Sequence, residues 1–287
     1  MFETFRRSWQ FATASYGMLW RNKSLLIFPI LSTLAAAVVV ASFAIPLWAS
    51  GQFTEWAEAA ENGQQPAEQI AMYVVLFLFY FCNYFVIVFF NAALVSGAMQ
   101  VLRGEEPSVG QCLSTAGQRV GQIAAWALVS AVVGVILRAL ENNRRVSGFV
   151  AAILGTAWTV VTFFVVPVIV LEGTGPVEAF KRSLATLKKT WGTALVGNFS
   201  LGLLSFLIML PVYLVGVVLI GLGVASGSLV LAVLCGAAGV MVIVLGASAA
   251  AAADTIFKAL LYSFATGQTV PADIDTSEFN RAFVAKE

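Results

Sequence analysis

Six apolar runs, each of about 20 residues or more, decide what this sequence can fold into. A helix of that length crosses the roughly 30 Å of membrane hydrocarbon, at a rise of about 1.5 Å per residue. We therefore predict an all-α polytopic membrane protein with about six transmembrane helices. The runs cover residues 24–48, 69–97, 121–140, 149–171, 194–224 and 229–253.

The composition argues against a soluble domain of this size. Hydrophobic residues make up 60% of the chain and charged residues 11%, with a mean hydropathy of +0.89, whereas a soluble domain usually carries about 25% charged residues. So few polar side chains cannot cover a soluble core. The net charge of +1 also argues against a nucleic-acid partner.

Cysteine and histidine usage predicts no metal site and no cofactor. The chain has no histidine, and its three cysteines show no ligand spacing. We interpret Cys82, Cys112 and Cys235 as small packing residues rather than as disulfide partners.

The distribution of lysine and arginine predicts the orientation in the membrane. With the N-terminus inside, all but three of the 16 basic residues fall in inside segments. The exceptions, Arg138, Arg144 and Arg145, flank the loop after the third run, which leaves a re-entrant third segment as an alternative. We expect one membrane domain over residues 1–270, cytoplasmic termini, and a cytoplasmic tail over 271–287.

A short repeated motif predicts three structural units. The tetrapeptide FRRS at 5–8 matches FKRS at 180–183 in residue type and order. Each precedes a tryptophan and then a spanning run, and residues 107–120 have a similar position. The pattern predicts three parallel units, each a surface helix followed by a helical hairpin. Their bounds would be 1–98, 99–172 and 173–270.

Two basic amphipathic segments, 1–23 and 175–191, are the candidate lipid-binding sites. Helical spacing places apolar residues on one side and basic residues mainly on the other, which suits the headgroup layer. A basic residue near an anionic membrane surface contributes about 1 kcal/mol. The alternative is a topology anchor that selects no lipid. The candidate headgroup-binding residues are Arg6, Arg7, Lys181, Arg182, Lys188 and Lys189.

Polar residues within the apolar runs form a second group of candidates. An acid and a base stand one turn apart near the end of the sixth run and can pair. Asparagines on spanning helices can bond a neighbouring helix or line a transport path. Glycines on the fifth and sixth runs allow close helix contact. The intramembrane polar candidates are Asn83, Asn91, Asn198, Asp254 and Lys258.

Three segments of the chain resemble an uncharacterised prokaryotic membrane-protein family, a domain of unknown function. They read FRRSWQFATASYGML at 5–19, PVIVLEGTGPVEAFKRSLATLKKTWG at 167–192 and IFKALLYSFATGQTV at 256–270. The resemblance implies a multi-pass protein of the prokaryotic cytoplasmic membrane, and it implies no catalytic or binding residue. The stretch 172–183 is also similar, more weakly, to the membrane domain attached to some glycerophosphodiester phosphodiesterases. Their catalytic domain is not present in this sequence, so their activity does not carry over.

The sequence leaves three functional classes open. The one we favour is a non-catalytic membrane protein that organises lipids or partner proteins through its basic surface helices. The second is a permease or channel-like transporter of a small solute, with a water-filled path. The third is an intramembrane enzyme, although phosphate-binding glycine loops, HExxH and GxSxG are missing from the sequence. The expected partners are membrane lipids, with anionic lipids among them, and a second copy of the chain or another membrane protein.

Overall fold

The computed structural model describes four stretches of the chain, which are helical with short turns and contain no strand. This confirms the predicted all-α class. The described residues are 13–52, 54–55, 66–141 and 148–267, apart from the side chains of 66–69, 190–201 and 204.

The α-helices in these stretches are numbered here in chain order. Residues 13–21 are also helical, and a 3-10 turn, Lys23–Leu26, leads into the first numbered helix. The numbered helices are α1 Ile27–Ala49, α2 Pro66–Leu102, α3 Val109–Gln118, α4 Val120–Glu141, α5 Gly148–Val161, α6 Val165–Glu172, α7 Pro176–Ala225 and α8 Leu229–Ala265.

Six helical stretches are long and apolar enough to cross a membrane, as predicted. The third is an unbroken helix of 22 residues, which is long enough to span and favours a full crossing over a re-entrant segment. The chain is therefore a multi-pass membrane protein. The stretches are Lys23–Ala49, Ile70–Leu102, Val120–Glu141, Gly148–Glu172, Ser205–Ala225 and Leu229–Ala265.

Large apolar side chains cover the outer faces of these helices. Val38 on α1, Leu222 on α7 and Val233 on α8 are 69%, 61% and 61% exposed. Contiguous apolar surface of this kind is rare on soluble monomers. The helices therefore need hydrocarbon around them rather than water.

The fourth span is two helices rather than the single helix that the apolar run predicts. A turn over 162–164 separates α5 from α6. Pro167 explains the break, because its ring would clash with the carbonyl of Phe163, four residues earlier, in a continuous helix. Both pieces are apolar and together remain long enough to cross, so run length alone does not reveal the turn.

Two compact units make up the chain, and each is described by itself. The predicted three-repeat division stays a prediction. The first unit is Met1–Ile30, Ala93–Ser114 and Ala185–Glu287, and the second is Leu31–Ala92 and Thr115–Leu184.

The core of the first unit lies along the end of α8. Phe257, Leu261 and Tyr262 are buried there, and the 3-10 turn Lys23–Leu26, with its buried Leu25, contacts this helix. Burial of a large apolar side chain contributes roughly 1.5–3 kcal/mol. This end of α8 is therefore held by protein contacts.

Close approach of α7 and α8 in the first unit occurs at several glycines, among them Gly216 and Gly239. A Cβ on Gly216 would lie 2.6 Å from the Ile243 Cγ1 atom and 2.9 Å from the Gly239 carbonyl oxygen. A Cβ on Gly239 would lie 2.5 Å from the Gly216 carbonyl oxygen. Small residues at these positions let the backbones touch. The predicted glycine-mediated contact is confirmed at this pair.

Cys112 is a packing residue, as predicted. Its side chain is fully buried in the first unit, and its Sγ lies 3.8 Å from the Gln100 Oε1 atom. The same oxygen accepts the Ser108 N–H at 3.0 Å, at the start of α3. Burial raises the pKa of the Cys112 thiol above its usual value, so the reactive thiolate is disfavoured.

The second unit is held together by aromatic contacts between its helices. Phe43 on α1 meets Phe79 on α2 edge to face, with ring centroids 5.7 Å apart. α4 contacts α5, and Trp126 on α4 stacks on Trp158 on α5 at 5.7 Å. Aromatic pairs at these distances add about 0.5–1.5 kcal/mol beyond their buried area. This unit positions the first turns of α7.

Candidate functional site

Polar contacts of the second unit concentrate at the turn between α6 and α7. Glu172 ends α6, and Gly173 caps it with φ 66°, a left-handed conformation that favours glycine. The Gly173 N–H donates to the Ile169 carbonyl at 3.0 Å. α7 then begins at Pro176, where a missing N–H costs nothing.

Arg182 forms an ion pair with a carboxylate on each side of this turn. Its Nη1 pairs with Glu172 at the end of α6, and its Nε pairs with Glu178 Oε1 at 3.1 Å. We call these three residues the α6–α7 clasp. The Arg182 side chain is 50% exposed, so each pair contributes only about 0–1 kcal/mol. Arg182, predicted to bind headgroups, is therefore engaged by two carboxylates of its own chain.

Residues at the junction of α3 and α4 contact the same turn. The Gln122 Nε2 donates to the Gly173 carbonyl at 3.3 Å. The Arg119 guanidinium lies so close to Gly173 that a Cβ there would overlap its Nη1. Sequence reasoning missed both contacts, although the GTG tripeptide at 173–175 is a turn signal.

Ser183 joins α7 to the break in the fourth span. It is fully buried, and its hydroxyl donates to the Val161 carbonyl at 2.9 Å. The same hydroxyl oxygen accepts the Phe164 N–H at 3.1 Å. These are backbone groups that the turn at 162–164 releases from helical bonding. Ser183 therefore replaces hydrogen bonds that the turn at 162–164 removes from the helix.

The apolar side of the first turns of α7 faces protein. Phe180 stacks on Trp158 at 6.2 Å, and Ala179 is fully buried. The sequence placed this face in the headgroup layer, but α5 supplies a ring partner for it. The amphipathic pattern is thus satisfied by packing, which periodicity cannot distinguish from lipid contact.

Three predicted lysines of α7 are exposed. Lys181, Lys188 and Lys189 are all exposed at their positions along the helix. Among the residues that the structure describes, no carboxylate lies within ion-pair distance of these amines.

Comparison with known proteins gives the family. The sequence model of a family of unknown function, DUF6159, matches residues 70–270. The chain belongs to the DUF6159 family. This confirms the predicted resemblance to an uncharacterised family, and nothing supports the weaker resemblance to phosphodiesterase membrane domains. No curated protein matches the chain.

The DUF6159 segment contains the clasp, Ser183 and the three lysines of α7. It excludes Arg6 and Arg7, which also lie outside the described residues. The N-terminal surface helix predicted over 1–23 is described from residue 13 onward. There Tyr16 is buried, and its hydroxyl donates to the Ser205 Oγ at 2.7 Å.

The intramembrane candidates of the DUF6159 segment differ in their contacts. The Asn83 amide donates to the Phe79 carbonyl of its own helix at 3.0 Å, rather than to a neighbouring helix. Asn91 is half-buried, and the Asn198 side chain is not among those that the structure describes. Asp254 and Lys258 do pair, with Oδ2 and Nζ 2.6 Å apart.

Proposed function

We propose that this chain is a non-catalytic protein of the prokaryotic cytoplasmic membrane that binds anionic lipid headgroups through the lysines of α7. Both termini are then cytoplasmic. The observation that supports the proposal is the exposure of Lys181, Lys188 and Lys189 without an ion-pair partner among the described residues. An ammonium group of this kind gains about 1 kcal/mol beside an anionic lipid surface.

The helix α7 extends well beyond its apolar span on the side where these lysines lie. The helix has 50 residues, about 75 Å at its rise per residue. Its apolar span, Ser205–Ala225, has 21 residues, enough for the roughly 30 Å hydrocarbon core. The lysines precede that span, and lysine side chains reach toward phosphates from the interface.

Packing of the first turns of α7 fixes which side of this helix faces outward in the second unit. Phe180 and Ser183 are turned toward α5 by the ring stack and the two hydrogen bonds. Lys181, adjacent to Phe180, is then exposed. Each lysine meets its own headgroup, so the proposal needs no shared pocket.

Neutralising the three lysines is expected to lower the preference for anionic lipid strongly. In mild detergent, native mass spectrometry compares retained phosphatidylglycerol with retained phosphatidylcholine. The wild type retains phosphatidylglycerol preferentially. The triple variant Lys181→Gln, Lys188→Gln, Lys189→Gln lowers that preference, by about fivefold per lysine at low salt.

Two controls separate headgroup binding from general effects of charge. The triple Lys→Arg variant keeps the charges and the preference. Lys258→Gln removes a lysine that is already paired with Asp254 and leaves the preference unchanged. An unaltered phosphatidylglycerol preference in the triple Gln variant would contradict the proposal and make the lysines topology anchors only.

A further inference from the structure

A groove of about 420 Å³ lies between α1 and α2 in the second unit. Its lining is aliphatic or aromatic apart from one guanidinium, that of Arg138 on α4. The lining residues of α1 and α2 belong to the first two candidate spans, Lys23–Ala49 and Ile70–Leu102. An apolar groove at this level faces hydrocarbon, which water does not enter.

The groove extends along both helices. Its wall on α1 extends from Val40 to Leu47, about 10 Å at the rise of a helix. Phe43 and Phe79 line it and meet edge to face at 5.7 Å. This apolar lining suits a hydrocarbon chain better than a polar solute.

Arg138 places a positive charge at one end of the spanning region. It lies in the last turn of α4, whereas Gln122, in the first turns of that helix, contacts the α6–α7 turn. The 22 residues of α4 measure about 33 Å, so Arg138 lies near the opposite membrane face. There its guanidinium is at the depth of lipid phosphates.

The intrachain partner of Arg138 is weakly held. Its Nη1 lies 3.1 Å from the Glu141 Oε2, and the two side chains are 54% and 49% exposed. An exposed pair of this type contributes about 0–1 kcal/mol. A phosphate, which a guanidinium binds through two parallel hydrogen bonds, can replace the carboxylate.

We infer that this groove holds an acyl chain of an anionic phospholipid whose phosphate binds Arg138. The apolar lining matches the chain, the guanidinium matches the headgroup charge, and the surrounding lipid supplies the ligand. The site uses residues of α1, α2 and α4, so it is separate from the lysines of the proposed function. Either site can fail without the other.

Titration of the detergent-solubilised protein with phosphatidylglycerol, followed by native mass spectrometry, tests whether the Arg138 charge contributes to lipid binding. Arg138→Gln lowers the affinity about tenfold, because a charge-assisted hydrogen bond contributes about 1.5–3 kcal/mol. Glu141→Gln breaks the same ion pair but leaves the guanidinium, so it raises the affinity by up to about fivefold. The two changes therefore act in opposite directions.

A second arm tests the groove. Ala44→Trp fills it and reduces retention of phosphatidylglycerol, whereas Ala157→Trp places the same ring at an exposed alanine on α5, outside the lining, and leaves retention unchanged. Ala44→Leu is the smaller substitution if the tryptophan variant does not fold. In the triple Lys→Gln variant of α7, the part of phosphatidylglycerol retention that depends on Arg138 is expected to remain.

Several results would overturn the inference. The first is wild-type affinity for phosphatidylglycerol in both Arg138→Gln and Ala44→Trp. The second is an affinity for glycerophosphoglycerol equal to that for phosphatidylglycerol. Glycerophosphoglycerol has the headgroup without the acyl chains, so this result would make the site a simple anion site. The third is that the protein forms a dimer, that Ala44→Trp dissociates this dimer, and that lipid retention does not change. The groove would then hold a second copy of the chain.

Discussion

Replacing Gly239 with alanine is expected to force α8 away from α7 and to destabilise the protein by about 1–3 kcal/mol, the usual cost of overpacking. The new Cβ would lie 2.5 Å from the Gly216 carbonyl oxygen and 2.7 Å from the Ile220 Cγ1. A backbone oxygen in a helix cannot rotate away. The two helices must separate, and dispersion contacts along their interface are lost.

The control for this substitution lies three residues earlier on the same helix. A Cβ on Gly236 would meet nothing within 4 Å, and alanine favours a helix over glycine by about 1 kcal/mol. Thermal unfolding in detergent, followed by tryptophan fluorescence, is expected to show a lower midpoint for Gly239→Ala only. Gly236→Ala should leave the midpoint unchanged or raise it. Equal loss in both variants would mean that α7 and α8 do not touch at Gly239.

Replacing Ser183 with alanine is expected to cost more, about 2–6 kcal/mol. The hydroxyl serves the Val161 carbonyl and the Phe164 N–H, and both hydrogen bonds disappear together. Each buried group left unsatisfied costs about 1–3 kcal/mol. The turn at 162–164 then loses its side-chain support, and the fourth span becomes the weakest part of the second unit.

Ser263 supplies the matched comparison. It is also fully buried, but among the described residues its Oγ has no hydrogen-bond partner. Removing an unsatisfied hydroxyl relieves a desolvation penalty, so Ser263→Ala should be neutral or stabilising. The free energies of unfolding of both variants, measured by denaturant titration in detergent, decide the case. Destabilisation of Ser263→Ala as large as that of Ser183→Ala would refute the role given to Ser183.

The spans could be predicted from sequence because hydrocarbon thickness fixes a minimum apolar length. The predicted fifth run ends, and the predicted sixth run begins, within a few residues of the α7–α8 turn that the structure shows. The side of each helix that faces its neighbour could not be predicted in the same way. Gly236 and Gly239 lie in one apolar run, yet only packing distinguishes the glycine in contact from the one in open space.

The clasp was predictable only in part. Helical spacing of four residues relates Glu178 to Arg182, and this pair can be read from the sequence. Glu172 reaches Arg182 only because the turn at Gly173 reverses the chain. Arg119 lies far from that turn in sequence, and no local pattern connects the two. Contacts of this kind depend on tertiary packing, which a single sequence does not display.

Spin labels on the fifth span test most directly whether hydrocarbon surrounds the exposed helix faces. Single cysteines at Leu214, Val218 and Leu222, which are 56%, 56% and 61% exposed, carry the label after reconstitution into lipid. We predict high accessibility to oxygen and exclusion of a water-soluble nickel complex at all three. A label at Ser226, in the α7–α8 turn, should show the reverse. Nickel accessibility at Leu214 and Val218 equal to that at Ser226 would contradict the membrane placement.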